Sequence, residues 1–179
     1  MAESCSNKVG RAVGVVTTST GASIGITTNK ITGVSTAGVS VGDLVDVGSF
    51  LGGTKVSSIG VGIVTCNRDS TNTASVTSQT VKFMTPTTLY TSPASTKTIL
   101  IGGTFANNTN GQVGLTIEVA DSSTGVDVAI ASKIPVPAGS SFVISDTGKT
   151  LLEGNDALKV YCDVENAIDA NISILTGVN

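Results

Sequence analysis

The chain has 179 residues, of which 40% are hydrophobic and only 13% charged, and its formal net charge is −3. Valine, isoleucine and threonine account for 63 of these residues, and such β-branched side chains favour pleated strands over helices. No histidine is present, which excludes His-dependent catalytic triads, His metal sites and an imidazole pH switch. The low, acidic charge argues against a nucleic-acid partner, because binding nucleic acid needs a basic face. We therefore expect an all-β protein that is not an enzyme and has no cofactor.

The N-terminal residues 1–8 lack the apolar region of a secretory signal, and no apolar stretch approaches the ~20 residues of a membrane helix. We expect synthesis in a cytoplasm and no membrane partner. Cys5, Cys66 and Cys162 have no Cys-x-x-Cys spacing, so neither a zinc site nor a disulfide framework is indicated. Cys66 and Cys162 lie in apolar runs, which predicts that both are buried as small hydrophobic side chains.

In the first half of the chain, short β-branched runs alternate with glycine-bearing turns. We predict strands at residues 12–18, 22–27, 43–47, 55–59, 61–66 and 74–83. Twelve of the 21 glycines fall in this half, which predicts a small domain with a thin core.

A change in composition near residue 85 predicts a domain boundary. Residues 1–84 have a net charge of +2 and residues 85–179 a net charge of −5. Pro86 lies in the boundary segment at residues 83–88, where it biases Thr85 towards an extended conformation. We predict a glycine-, serine- and threonine-rich β-domain at 1–84, used for anchoring or oligomerisation, and a second β-domain at 85–179.

The second half shows strand-like runs at spacings of about 8–12 residues, separated by turn signals. The predicted strands are residues 88–91, 98–105, 114–120, 126–131, 141–145, 150–153, 157–164 and 171–175. Between them lie turns such as 107–111, 121–125, 137–139, 146–148 and 153–156. This pattern is typical of an antiparallel β-sandwich of jelly-roll-like form. In the strand at 157–164, alternation places Leu158, Val160, Cys162 and Val164 inwards and Lys159, Tyr161 and Asp163 outwards.

Residues 32–45 (TGVSTAGVSVGDLV), with 53–59 (GTKVSSI) and 62–65 (GIVT), resemble a small β-module of tailed-bacteriophage virion proteins. The family usually has a proline in the loop before Gly-Thr, where this chain reads FLGG at 50–53. A second stretch, formed by LYT at 89–91, IPVPAGSS at 134–141 and LLEGNDAL at 151–158, resembles the β-sandwich of small phage head, neck and tail accessory proteins.

The resemblance implies a non-enzymatic virion structural protein, made in the cytoplasm of a host bacterium and present in many copies. The short length, low charge and lack of long repeats favour a homo-oligomeric capsid decoration (cement) protein with the major capsid protein as partner, and the resemblance implies a trimer as the oligomer. A tail, neck or fibre component, bound to tail or neck proteins, is the alternative. The resemblance implies no catalytic residue.

The carboxylates are the only groups that offer an enzyme or metal site. Asp163, Glu165 and Asp169 are close in sequence, as are Asp43 and Asp46, and such oxygen ligands suit a structural Ca²⁺. No Asp-x-Asp-x-Asp-Gly loop is present, so solvated surface acids are the favoured interpretation. Paired carboxylates also leave open a small hydrolase, testable at Glu153, Asp163 and Glu165.

A glycan-binding fibre or adhesin module is the other class that stays open. The polar loops at 107–111 and 121–125 would supply its contacts, because loops at the ends of a sandwich commonly bind ligands. Against it stands the low aromatic content of 3%.

Overall fold

The computed structural model describes residues 3–144 and 149–178. These residues form β-strands and no helix, so the all-β prediction is confirmed. The described residues therefore contain no helix that is long and apolar enough to cross a membrane. The strands are β1 (Ser4–Val13), β2 (Val15–Ile24), β3 (Lys30–Thr32), β4 (Leu44–Asp46), β5 (Val56–Gly60), β6 (Ile63–Cys66), β7 (Val76–Thr85), β8 (Thr87–Thr91), β9 (Lys97–Asn107), β10 (Val113–Asp121), β11 (Val126–Val136), β12 (Ser141–Ile144), β13 (Thr150–Leu152), β14 (Ala157–Cys162) and β15 (Ile168–Val178).

The chain forms two compact units, of which the second is inserted into the first. One unit combines Met1–Gly14 with Thr87–Asn179, and the other is Val15–Pro86. The division near residue 86 falls inside the predicted boundary segment, but the first fourteen residues do not belong with the domain predicted at 1–84. The physical reason is the backbone ladder of β1, which pairs antiparallel with β15 from Ser4 opposite Thr176 to Gly10 opposite Ala170.

The first unit is a sandwich of two antiparallel sheets. One sheet has the order β1-β15-β9-β12, with β13 also paired to β9, and the other has the order β11-β10-β14-β8. Side chains from both sheets meet in one core, which includes Phe105, Leu115, Leu158 and Ile172, all without exposed surface. The predicted sandwich is confirmed, and each of its eight predicted strands coincides with a strand in the described residues; Ser145 and the turn at 146–148 lie outside them.

Strand β14 tests the predicted alternation residue by residue. Leu158, Val160 and Cys162 are fully buried in the core, as predicted. Tyr161 is paired with Thr116 on the opposite face of the sheet, yet it is only 1% exposed. Alternation therefore predicted the face of the sheet on which Tyr161 lies, but it did not predict that Tyr161 is buried on that face.

The second unit is a six-stranded sheet with the order β4-β7-β2-β3-β6-β5. Its two end strands meet, because Leu44 forms a bridge with Lys55 and the Val45 N–H donates to the Thr54 carbonyl at 2.8 Å. The sheet thus closes into a small barrel around a core that includes Ile24, Val64 and Phe83. Because closing a sheet removes its free edges, the barrel strands are protected from pairing with another chain.

The predicted strands of the first half differ from the observed strands in four places. The predictions at 12–18 and 22–27 both overlap one continuous strand, β2, which ends at Ile24. The strand predicted at 12–18 is divided at Gly14, whose φ is +127°, into the end of β1 and the start of β2. Most of β1 and all of β3 were not predicted. Neither strand shows an apolar alternation in the sequence that would predict it. β1 is exposed along most of its length and is held by backbone pairing, and β3 has only three residues.

Candidate assembly surface

Two of the sandwich carboxylates that were candidates for a metal or hydrolase site accept hydrogen bonds from the backbone. Asp163 Oδ1 accepts the Gly114 N–H at 2.6 Å, and Asp169 Oδ1 accepts the Ala12 N–H at 2.9 Å. The hydrogen bond from Ala12, with smaller effects of Asn108 and Arg11, holds the pKa of Asp169 below its usual value. Glu165 is exposed in the turn after β14. Over residues 3–144 and 149–178, no three Cys, Asp or Glu side chains form a group that could hold a metal ion.

The remaining candidate carboxylates are also placed by turns and ladders. Asp43 is fully buried in the barrel, and its Oδ2 accepts the Ser40 N–H at 2.8 Å. Asp46 lies on β4 opposite Lys82. Glu153 is exposed, and its backbone N–H donates to Asp156 Oδ2 at 2.9 Å. The structure brings none of these together with Asp163 or Asp169 as a metal group within the described ranges.

The loop at 107–111, a candidate for glycan contacts, is organised around one buried side chain. Asn107 is 2% exposed, and its Nδ2 donates to the carbonyls of Gly111 at 2.7 Å and Val136 at 2.9 Å. Its Oδ1 accepts the Thr109 N–H at 2.8 Å. An open cleft of about 610 Å³ lies beside this loop, and Asn108 and Thr109 contribute to its lining. The side chain of Asn107 itself therefore forms hydrogen bonds that join its own loop to the end of β11.

The second candidate loop, at 121–125, is likewise held by its own carboxylate. Asp121 Oδ1 accepts hydrogen bonds from Ser123 Oγ at 2.6 Å and from the backbone N–H groups of Ser123 and Thr124 at 2.8 and 3.1 Å. The Ser123 hydroxyl, followed by the Thr124 amide, lowers the pKa of Asp121. Asp156 Oδ1 accepts the Ser122 N–H at 2.9 Å and fixes the base of the turn. The Oδ1 atoms of Asp121 and Asp156 therefore already accept hydrogen bonds from groups within the protein.

Two of the three cysteines were expected from the sequence to be buried. Cys66 and Cys162 are buried and Cys5 is exposed, all three as free thiols. Burial raises the pKa of the Cys66 thiol to about 12. The prediction that Cys66 and Cys162 are buried is confirmed.

A row of apolar residues crosses the outer face of the five-stranded sheet. Leu175 on β15 lies opposite Ile99 on β9, and Ile99 lies opposite Leu151 on β13. Cys5 on β1 continues the row on the other side of Leu175. We call these four residues the outer row. Leu151 is 47% exposed, and Ile99 and Leu175 are half-buried.

The outer row faces away from the core, as the neighbouring residues show. Leu100, Leu152 and Ile174 directly adjoin its members in sequence and are 2%, 0% and 0% exposed. Successive side chains in a strand point to opposite faces, so an apolar pair such as Leu151-Leu152 makes both faces apolar. Such apolar pairs occur on the three neighbouring strands β13, β9 and β15. They are the sequence signal that could have predicted the outer row, but prediction of the strands alone did not consider them.

A second exposed apolar group lies at the tip of the β5–β6 hairpin in the barrel. Ile59 and Ile63 are 38% and 39% exposed, and Val61 in the turn between them is fully exposed. A third lies on β11, where Val126, Val128 and Ile130 are 54%, 57% and 42% exposed. Contiguous exposed apolar patches commonly mark interaction sites, so these groups are candidate surfaces for protein contacts.

No protein-family profile and no curated protein sequence matches the chain. Two solved structures show a distant likeness. The structure of infectious bursal disease virus Gt strain is 11% identical, with a TM-score of 0.32, and the match covers 96% of this chain and 55% of that chain. The VP2 subviral particle of infectious bursal disease virus is 8% identical, with a TM-score of 0.22 and coverages of 98% and 80%. The chain spans about half the length of the first of these, and both TM-scores are too low to establish a common fold.

Proposed function

We propose that the protein is a non-enzymatic structural subunit of a tailed-phage virion, most specifically a homo-oligomeric capsid decoration protein. The observation that carries the proposal is the outer row, which leaves Leu175, Ile99 and Leu151 side by side on the outer face of a sheet. The resemblance of residues 32–65 and 89–158 to β-modules of phage particles supports the same function. The major capsid protein is the proposed partner of this face.

The physical argument rests on the free energy of desolvation. Burying one large aliphatic side chain from full exposure contributes about 1.5–3 kcal/mol. Leu151, Ile99 and Leu175 are already about half-buried, so covering the rest of the three adds only part of that amount for each. The outer face also carries Val9 on β1 and Val143 on β12, which are 77% and 55% exposed, beside the polar residues Asn7, Ser173 and Thr104. Apolar side chains mixed with polar ones are usual in a protein interface.

The test uses a charged residue in the outer row. Leu151→Lys places an ammonium group in the proposed contact, and we expect it to abolish binding of the purified chain to particles stripped of it. Val41→Lys is the control, because Val41 is 64% exposed and lies in the barrel. Unchanged particle binding by Leu151→Lys, with the variant folded by circular dichroism, would overturn the role of this face.

The location on the particle is tested separately, with gold-labelled antibody against the chain and electron microscopy of virions from the source. Label over the heads is expected for a decoration protein, whereas label on tails or necks would replace this proposal with the tail alternative. Absence of the chain from purified virions would contradict the structural function altogether.

A glycan array tests the adhesin alternative, for which we expect no binding because Asn107 and Asp121 are engaged internally.

A further inference from the structure

A lysine, an aspartate and a glutamate lie close together on the sheet with the order β11-β10-β14-β8. Strand β10 lies between the other two strands concerned, and its Glu118 is paired with Lys159 of β14. Two residues further along β10, Ala120 is paired with Asp127 of β11. Opposed residues, and residues two apart in a strand, point to the same face. The three ionisable side chains therefore share the face of the sheet that is turned away from the core.

The side chain of Lys159 crosses β10 to reach Asp127. Its Nζ donates to Asp127 Oδ2 at 3.4 Å, although β14 and β11 are not neighbours in the sheet. Ala120, opposite Asp127 on β10, has only a methyl side chain, which leaves room for the crossing. The Lys159 and Asp127 side chains are 27% and 23% exposed, so most of their surface is removed from water.

Glu118 is more deeply buried than either member of this pair. It is only 2% exposed, although it lies on the outer face, and carboxylates are rarely buried to this extent. Its position opposite Lys159 places the two Cβ atoms about 4.5–5.5 Å apart. A buried carboxylate beside an amine and a second carboxyl group is the arrangement of a general acid–base catalyst.

We propose that Lys159 and Asp127 form an intramolecular isopeptide bond, with Glu118 as the proton carrier. The ammonium group first passes one proton to the Asp127 carboxylate, which gives an amine and a neutral carboxyl group. The lone pair of Nζ then attacks Cγ of Asp127. Glu118 accepts a proton from Nζ and returns it to the departing hydroxyl, which leaves as water. The Nζ–Cγ bond forms, one Cγ–O bond breaks, and no oxidant or cofactor is consumed.

The geometry supports this step in two ways. The Nζ–Oδ2 distance of 3.4 Å brings the amine to the carboxyl group at the separation of about 3–3.5 Å that reacting groups need, and holding them there replaces a bimolecular encounter. Partial burial also favours conversion of two charged groups into a neutral amide, because removing charges from water is costly.

The bond would fasten the end strand of this sheet. Because β11 pairs only with β10 in the described sheet order, backbone hydrogen bonds hold it along one side. A covalent link from Asp127 to Lys159 of β14 closes residues 127–159 into a loop and restricts the unfolded chain as a disulfide does. This link is independent of where the protein is located, so it stands or falls separately from the proposed virion function.

Mass spectrometry of the full, denatured chain tests the bond. We expect the wild-type chain to be lighter than its sequence by one water molecule more than Lys159→Arg, because a guanidinium group does not attack a carboxyl group. Comparison of the two chains cancels any processing of the N-terminus. Lys133→Arg is the matched control, since Lys133 lies on β11 and is not part of the proposed bond; it should lose water as the wild type does.

Tryptic digestion locates the bond. Trypsin does not cleave after an amidated lysine, so the linked chain should give residues 98–133 joined to residues 150–179. An unlinked chain gives 98–133 and 150–159 as separate peptides. Separate peptides from a folded wild-type chain, with no loss of water, would overturn the proposal and leave an ion pair only.

Glu118→Gln tests the proton carrier. It keeps the size of the side chain but cannot carry the proton, so we expect the linked peptide to form about ten-fold or more slowly. Glu118→Asp should restore part of the rate, and Glu165→Gln, at an exposed residue, should change nothing. Circular dichroism confirms that each variant is folded. Equal rates for Glu118→Gln and the wild type would remove Glu118 from the step.

Thermal unfolding measures what the bond contributes. Lys159→Arg keeps the positive charge beside Asp127 but loses the link, so its melting temperature should fall by about 5 °C or more. Lys133→Arg should melt like the wild type. Equal melting temperatures for Lys159→Arg and a fully linked wild type would contradict the stabilising effect of the bond.

Discussion

The carboxylate of Asp169 accepts the backbone N–H of Ala12 at 2.9 Å, across 157 residues of sequence. Ala12 has a φ of 54° and lies where β1 shifts its register against β15, between Gly10 and Val13. Its amide therefore has no place in the regular ladder, and Asp169 provides the acceptor. The hydrogen bond fixes the end of β1 immediately before the chain enters the barrel.

Replacing Asp169 should destabilise the sandwich in a pH-dependent way. Because the folded-state pKa of Asp169 is lowered, chiefly by the Ala12 amide, its contribution is present above the unfolded pKa, about 3.9. It is lost as the pH falls through the folded-state pKa. We expect Asp169→Ala to lower the melting temperature at pH 7. The difference in melting temperature from the wild type should disappear once the pH is below the folded-state pKa. Asp169→Asn keeps an acceptor oxygen and should lose less; equal losses at pH 7 and in acid would contradict this role.

Asn107→Ala should lower the free energy of unfolding by about 2–4 kcal/mol, since each buried polar group left unsatisfied costs about 1–3 kcal/mol. The substitution removes the donor to the Val136 carbonyl and the acceptor for the Thr109 N–H. Urea denaturation measures the loss. Asn110→Ala is the control, because Asn110 is exposed in the same loop and should change stability by less than about 0.5 kcal/mol.

Gly14→Ala should destabilise the fold more than other glycine substitutions. A Cβ at residue 14 would overlap the Val164 carbonyl oxygen, and the φ of +127° disfavours any residue other than glycine. We expect a loss of about 3 kcal/mol or more, since such conflicts combine strain and steric overlap. Gly125→Ala has open space around its Cβ at a φ of +68°, and should lose only the left-handed penalty of about 1–2 kcal/mol. Thermal unfolding of both variants compares them; similar losses would mean that the Val164 contact is not limiting.

Leu152→Ala and Leu151→Ala, adjacent in sequence, should differ strongly in stability. Leu152 is completely buried and Leu151 is 47% exposed, because they point to opposite faces of β13. Removing Leu152 leaves a cavity and should cost about 2–5 kcal/mol, whereas removing Leu151 should cost less than about 0.5 kcal/mol in the dissociated chain. Chemical denaturation at low protein concentration makes the comparison. A large loss for Leu151→Ala would show that the outer row is part of the folded core.

One of the three cysteines should react with DTNB in the folded protein. Cys5 is exposed, whereas Cys66 and Cys162 are buried, and burial holds the pKa of Cys66 at about 12, which suppresses the reactive thiolate. We expect one equivalent of rapid reaction at pH 8, none in Cys5→Ser, and three equivalents in guanidinium chloride. Rapid reaction of a second thiol in the native state would indicate opening of the barrel or the sandwich.

The strands of the sandwich were predictable because alternation has a direct physical cause. A strand that buries one face must repeat apolar residues at every second position, as Leu158, Val160 and Cys162 do, and turns need residues that favour them. Strand β1 was not predictable for the complementary reason. It is exposed along most of its length and is held by hydrogen bonds to β15 that any sequence of side chains permits.

The sequence by itself determined the all-β class, the sandwich strands other than β1, the burial of Cys66 and Cys162, and the lack of histidine chemistry. These follow from intrinsic preferences and from periodicity, which act over a few residues. Only the tertiary structure decided that β1 joins the C-terminal sandwich, that the barrel closes at Leu44 and Lys55, and that Asp169 serves Ala12. The alignment of Leu175, Ile99 and Leu151 into one row also depends on which strands pair and in what register. Strand pairing brings together residues far apart in the chain through backbone groups common to all residues, so local patterns do not encode it.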